Sequence, residues 1–171
     1  MNHVHLELTE CLDKTIKHIG KRSAFLTTRL EDKINTMAIG WATGGIVWGK
    51  PVFTAFVRES RYTHKFIEKS GEFTVSVPVN DNLKKALSFC GSKSGRDFDK
   101  IKDCDLKLIQ GETISTPIID GCGIYFECKT LYKSNIKPDF LNKKIDSQSY
   151  SNSDYHTIYY GEILSCYSLE K

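Results

Sequence analysis

The sequence predicts a mainly β fold with inserted helices, a closed or half-closed antiparallel barrel. Three observations carry that expectation. From Ser23 onward, short apolar or alternating runs bounded by glycine and proline recur six or seven times. The helical stripes between them are few and short. Strands and helices do not alternate regularly, which argues against a doubly wound parallel sheet.

Residues 1–20 show weak patterning and read as a lead-in. Ala24 to Leu30 is short, apolar and partly β-branched, as a strand requires. Ile34 to Ala42 follows, and Gly44-Gly45 reads as the turn after it. Val52 to Val57 is strongly apolar and sits between Pro51 and Arg58. Phe73-Thr74-Val75-Ser76-Val77 alternates apolar with polar until Pro78 stops it. Leu106 to Ile109 is a short candidate. In Ile124 to Tyr132, Ile124, Phe126 and Cys128 share one face, and Tyr125, Glu127 and Lys129 the other. Thr157 to Tyr167 is the last strand, with Gly161 placed for a bulge or a close approach.

The helices are briefer. Arg61 to Ser70 carries Tyr62, Phe66 and Ile67 on one side and stops at Gly71. Leu83, Ala86, Leu87 and Cys90 are spaced i, i+3, i+4, i+7, with Asp81 as N-cap and Gly91 as C′ residue. Asp97 to Asp103 makes a third short helix or turn. The polar, Ser-rich segment 147–154 reads as an exposed loop between the last two long strands. No linker divides the chain, so 1–171 reads as one domain.

Composition excludes several functions. With 171 residues, 40% apolar and 26% charged, the chain is neither fibrous nor disordered. A net charge of +3 is small for a phosphate-backbone binder, so no nucleic-acid partner is expected. No apolar run approaches the ~18 residues of a membrane span. The first 25 residues mix charges into every turn, unlike a secretory signal. A cytoplasmic protein without a membrane partner is expected. Six cysteines without CxxC spacing read as free thiols.

Three motifs fail. Gly44 to Lys50 has the GxxxxGK spacing of a P-loop, but Pro51 replaces Ser or Thr and a strand follows instead of a helix. Gly121-Cys122-Gly123 lacks the third glycine of a dinucleotide fingerprint. His3 and His5 have no partner ligands nearby in sequence and read as solvated, so no metal is expected.

Two segments can hold an anion. Arg58-Glu59-Ser60-Arg61-Tyr62-Thr63 joins a strand to a helix N-terminus, where free N–H groups and partial positive charge meet two guanidiniums and hydroxyls. Gly91-Ser92-Lys93-Ser94-Gly95-Arg96-Asp97 adds glycines that let amides turn inward. Taken alone, each is also a capped helix start or a flexible loop. Together they favour a phosphorylated ligand. A third stretch, Asn35-Thr36-Met37-Ala38-Ile39-Gly40-Trp41, interrupts an apolar strand with polar and small residues, and suits backbone contact with a flat ring.

With Trp48-Gly49-Lys50-Pro51, Phe66 to Phe73, Cys90 to Asp97 and Asp154 to Glu162, these segments occur in one order over residues 20 to 168. That order resembles the flavin reductase-like, FMN-binding split-barrel family, and within it the flavoredoxin-type branch. The resemblance implies a six-stranded antiparallel Greek-key split barrel, a homodimer, and non-covalent FMN near the subunit interface. It implies phosphate contacts from Arg58, Ser60, Arg61, Tyr62 and Thr63, helped by Ser94, Gly95 and Arg96, with Cys90 and Gly91 also among the cofactor-binding residues. The isoalloxazine would lie along Asn35, Thr36, Met37, Ala38, Ile39 and Trp41, with His156, the catalytic candidate, and Tyr159 or Tyr160 facing the flavin or its donor. The implied activity moves electrons from NADH, NADPH or a protein donor through FMN to a small-molecule or protein acceptor. A flavin-binding or electron-transfer module without NAD(P)H turnover is the alternative. A flavin brings its own redox chemistry, so neither a triad nor a metal cage is expected.

Overall fold

A computed structural model describes residues 2–170. Along the chain come β1 (Asn2–His5), α1 (Leu8–Ile19), β2 (Ala24–Leu30), β3 (Lys33–Ile39), β4 (Ala42–Val47) and β5 (Lys50–Arg58). Then follow α2 (Tyr62–Ser70), β6 (Glu72–Val77), α3 (Lys84–Ser92), α4 (Lys100–Asp103), β7 (Leu108–Ile109) and β8 (Ile118–Ile119). The chain ends with β9 (Ile124–Asn135), a 3-10 turn (Pro138–Phe140), α5 (Lys143–Ser149) and β10 (His156–Glu170).

The sheet order is β3-β2-β6-β9-β10-β5-β4, with β1 paired to β10 and a separate β7–β8 ribbon. Neighbours run antiparallel. β5 and β6 are consecutive strands, yet they flank the β9–β10 pair, which is a Greek-key crossing. The two edge strands of the path, β3 and β4, are joined only through Gly40 and Trp41. At about 3.6 Å per residue their joined ends lie within ~11 Å, so the sheet must curl until its edges approach. The fold is therefore mainly β, as expected. The strand count is larger: the lead-in supplies β1, and the Ile34 to Ala42 run divides into β3 and β4.

The lead-in also holds α1. Cys11, Thr15 and Ile19 face the sheet, with Leu8 and Leu12 beside them. Glu10–Lys14 (2.5 Å) and Asp13–Lys17 (2.8 Å) pair on its outer side. Gly44-Gly45 is not a turn but the middle of β4. A Cβ on Gly44 would stand 2.3 Å from Leu12 Cδ2, so glycine lets α1 approach the strand. The turn is Trp48-Gly49, both with positive φ (54° and 70°), the two-residue hairpin loop whose twist matches its strands.

Other boundaries shift as well. α3 starts after Leu83 and runs through Gly91, so neither Asp81 nor Gly91 is a cap. Asp81 instead pairs with Arg22, and Gly91 packs on Ala38. α2 does end at Gly71, whose φ of 67° suits glycine. Segment 147–154 is not wholly an exposed loop: its start completes α5, and Tyr150 is buried.

β9 keeps its alternation, but both faces are covered. Ile124, Phe126 and Cys128 enter the main core, and Tyr125 enters a second core under α3. Glu127 is fully buried and accepts from the N–H groups of Glu112, Thr113 and Ile114 and from the hydroxyls of Thr113 and Tyr167. Gly161 does sit at a register shift and also under Phe73, whose Cζ would lie 2.5 Å from an added Cβ. All six cysteines are free thiols. His3 is not simply solvated: its Nδ1 lies 2.5 Å from Glu112 Oε1, and its ring packs on Tyr167. Among the described residues, no helix is long and apolar enough to cross a membrane.

Candidate functional site

β5 ends at Arg58, and the chain turns through Ser60 into α2. No side chain caps the N-terminus of α2, so its first amides stay available. The loop after α3 returns to the same place. Between them lies a cleft of about 100 Å³ lined by Met37, Ser60, Arg61, Tyr62, Thr63, Lys93, Ser94, Gly95, Arg96 and Lys100. Three elements distant in sequence thus converge on one small, cationic space.

The side chains in it are fixed by hydrogen bonds. Arg61 Nη1 donates to Gly91 O (3.2 Å). Arg96 Nη1 donates to Ser60 O (3.0 Å), and its guanidinium stands 5.4 Å from the Tyr62 ring centroid. Asn35 Nδ2 donates to Thr63 Oγ1 (2.6 Å) and ties β3 to α2. Gly95 closes on this pair: a Cβ there would fall 1.9 Å from Asn35 Oδ1 and 3.1 Å from Tyr62 Cδ1.

In this cleft, sequence reasoning missed Lys100. It is 6% exposed, and its Nζ donates to Thr36 O (2.9 Å) and Cys90 O (3.0 Å). An ammonium has three donors, so one remains for the cleft. Burial, with Arg61 nearby, pulls its pKa below the ordinary lysine value. A buried cation among guanidiniums calls for an anion. The Lys93 and Lys100 positions flank the Ser94-Gly95-Arg96 loop, which was the available signal.

Of the expected cofactor contacts, Arg58 and Cys90 do not line the cleft, and Ser60 borders it with its hydroxyl already engaged. Arg58 Nη2 donates to Ser149 O (2.8 Å), its Nη1 to Asp154 O, and its guanidinium lies 5.1 Å from the Tyr150 ring centroid. Strand alternation sends it to the face of segment 149–154. Ser60 borders the cleft, but its Oγ donates to Asp154 Oδ2 (2.6 Å) and its N–H to Oδ1 (3.3 Å). That turn thus binds a carboxylate within the chain. Cys90 is 1% exposed, and burial pushes its thiol up to about 12; only its carbonyl reaches Lys100.

β3 leads from this cleft to an aromatic cluster. Among the described residues β2 is its one strand partner, so its other edge pairs with no strand, although Thr36 O there accepts from Lys100. Met37 and Ile39 face the core, Ala38 faces α3, and Thr36 is buried with its hydroxyl on Leu26 O. Beyond Gly40, Trp41 is 45% exposed, and its ring lies 4.8 Å from His156. Phe56 and Tyr150, both absent from the expected set, complete the cluster. His156 is 9% exposed, and its Nδ1 is 2.8 Å from the Tyr150 hydroxyl. Burial, reinforced by Arg58, lowers its pKa to about 4, so the imidazole is neutral at pH 7. The expected residues therefore form two groups, a cationic cleft and an aromatic cluster, bridged by β3. From Asn35 to Ile39 the strand spans about 13 Å at ~3.3 Å per residue, and Trp41 follows at the corner. Such a strip suits an elongated ligand with an anionic end and a flat ring.

Known proteins resemble this chain in sequence and fold. An uncharacterized protein of Archaeoglobus fulgidus is 27% identical over 133 residues, 78% of this chain and 64% of that one. The chain thus spans slightly under two thirds of that relative's length. An FMN-binding domain of a flavin reductases-like enzyme from Shewanella baltica superposes with a TM-score of 0.69 at 21% identity, covering 98% of this chain and 77% of that one. A flavoredoxin from Methanosarcina acetivorans gives 0.68 at 26% identity, covering 87% and 69%. The profile of the flavin reductase like domain matches residues 16–171, from the middle of α1 through the cleft, β3 and β10, and by that match the chain belongs to this family.

Proposed function

We propose that this chain binds FMN non-covalently and acts as an oxidoreductase of flavin reductase or flavoredoxin type. The observation that carries the reading is the meeting of Arg61, Arg96 and the buried Lys100 ammonium at one end of the free β3 edge. These residues fit the group: a dianionic phosphate suits three cations, uncapped helix amides and the loop at Gly95. The ring would lie along Asn35–Ile39 towards Trp41, taking backbone hydrogen bonds from the edge.

When bound, the flavin supplies the electron transfer itself. The chain's part is to bind, orient and shield. Arg61 and Arg96 are held in place by backbone carbonyls, so little rotamer freedom is lost when an anion arrives. Trp41 and Phe56 give an apolar wall. Neutral His156, fixed by Tyr150, adds no positive charge beside the ring at pH 7. We further propose a homodimer, supported by the exposed Trp41, Ile46, Trp48 and Tyr132. NADH, NADPH or a protein partner serves as donor, and the setting is cytoplasmic.

The test is a visible spectrum of purified protein after FMN addition, followed by anaerobic NADH or NADPH. Bound flavin that bleaches identifies a reductase and its donor. Bound flavin that persists, but bleaches with a reduced protein donor, assigns electron transfer. No uptake of FMN at micromolar concentration refutes the reading.

A further inference from the structure

Residues 150–155 run from the end of α5 to the start of β10 and close against the β5–α2 turn, where the Glu59 N–H donates to Tyr155 O (3.4 Å). Both ends are fixed. Tyr150 is buried with its hydroxyl 2.8 Å from His156 Nδ1, and His156 opens β10. The middle is held at Asp154. Its Oδ2 accepts from Ser60 Oγ (2.6 Å) and its Oδ1 from the Ser60 N–H (3.3 Å). Ser153 beside it has a φ of 59°, a left-handed conformation that is unfavourable for a residue other than glycine. Arg58 holds the same segment by the backbone carbonyls of Ser149 and Asp154, not by the carboxylate. Ser60 also lines the cationic cleft. A carboxylate of the chain itself therefore occupies donors at the rim of a space that suits a phosphate.

Resting on the flavin reading for the identity of the ligand, we propose that Asp154 is a built-in competitor for the phosphate, and that its displacement from Ser60 releases residues 151–154 as a flap. The Ser60 hydroxyl has one proton to donate, and its N–H has one, so an arriving phosphate and Asp154 contend for the same two donors. A dianion drawn in by Arg61, Arg96 and Lys100 also stands beside the carboxylate, and like charges so placed repel. Once Asp154 lets go, Ser153 is free to leave its left-handed conformation. The coupling is reciprocal: the factor by which phosphate favours the open flap is the factor by which opening favours phosphate. A ligand without a phosphate leaves the flap shut.

The experiment is calorimetric titration of the whole chain with FMN, riboflavin and inorganic phosphate at one ionic strength, with deuterium uptake followed in residues 151–155. Asp154→Ala should bind FMN and inorganic phosphate about five- to tenfold more tightly and riboflavin within about twofold. Asp154→Asn, which keeps the shape and one acceptor oxygen but loses the charge, should show part of that gain. In the unsubstituted chain, uptake at 151–155 should rise when either phosphate ligand binds. Unchanged or weaker binding of FMN and phosphate in Asp154→Ala, or slower exchange of 151–155 on binding, overturns the flap, while FMN uptake itself leaves the flavin reading standing. Inorganic phosphate that binds with the expected gain, without any uptake of FMN, supports the flap and refutes the flavin reading. Binding of neither overturns both.

Discussion

Arg58 and Arg61 are three residues apart, yet the structure gives them different work, and a flavin titration separates them. Arg61 lines the cleft and spends one of its five N–H donors on Gly91 O, leaving others for an anion. Arg58 does not line the cleft, and two of its five N–H donors go to the Ser149 and Asp154 carbonyls on the other side. A charge-assisted hydrogen bond contributes about 1.5–3 kcal/mol, or roughly 10–100-fold in Kd. Arg61→Ala should therefore weaken FMN by about that factor and riboflavin, which has no phosphate, by less than about threefold. The FMN loss should shrink at high salt. Arg58→Ala should change both ligands by a similar small factor, because it loosens segment 149–154 rather than the phosphate contact. Quenching of flavin fluorescence at two salt concentrations measures all four constants. Equal losses of FMN and riboflavin in Arg61→Ala, or a selective FMN loss in Arg58→Ala, would refute the cleft as the phosphate site.

Other expectations follow from packing and charge. His156 has a folded pKa lowered to about 4 against 6.5, so the unfolded chain binds its proton first, and stability is lost as pH falls from about 6.5 towards 4. The loss is about 3 kcal/mol at most, and His156→Gln should flatten that part of a urea-denaturation pH profile. Burial works to raise the Glu127 pKa, but hydrogen bonds from Tyr167, Glu112 N–H and Thr113 outweigh it and hold the carboxyl below its ordinary range. Glu127→Gln turns an amide toward those donors and should cost about 2–3 kcal/mol in denaturant midpoint analysis. Gly95→Ala must displace the Asn35 amide from Thr63; a loss of about 1–2 kcal/mol with weaker FMN uptake is expected, and an unchanged Kd would count against the loop's role.

Much of the sheet was legible because its side chains obey a period of two. Ala24–Leu30 and Phe73–Val77 carry that signal plainly, and Pro78 marks the stop. β4 was not legible, since Gly44, which lets Leu12 approach, stands next to Gly45 and the pair mimics a turn. α1 hid because Cys11 and Thr15 occupy core positions that large aliphatics usually fill. The cationic cleft was half visible: clustered basic, hydroxyl and glycine residues announced it, whereas Lys100 acquires its meaning from the Cys90 carbonyl and from Thr36, 64 residues away. Arg58 was misplaced for a simpler reason. A residue at a strand end projects to one face or the other, and the Asp154 segment that claims it lies 96 residues on.

β10 pairs with β9 along most of its length, with β5 through its first half and with β1 at its end. Backbone amides there are shielded on both edges, so their hydrogens should exchange with solvent only when the whole molecule opens. β3 has a neighbour on one side only. Its amides should exchange through local fraying, orders of magnitude sooner. The strip offered to a ligand is thus an edge strand, joined to the doubly paired β10 through three intervening strands. Deuterium uptake before and after FMN addition should slow in β3 and stay constant in β10.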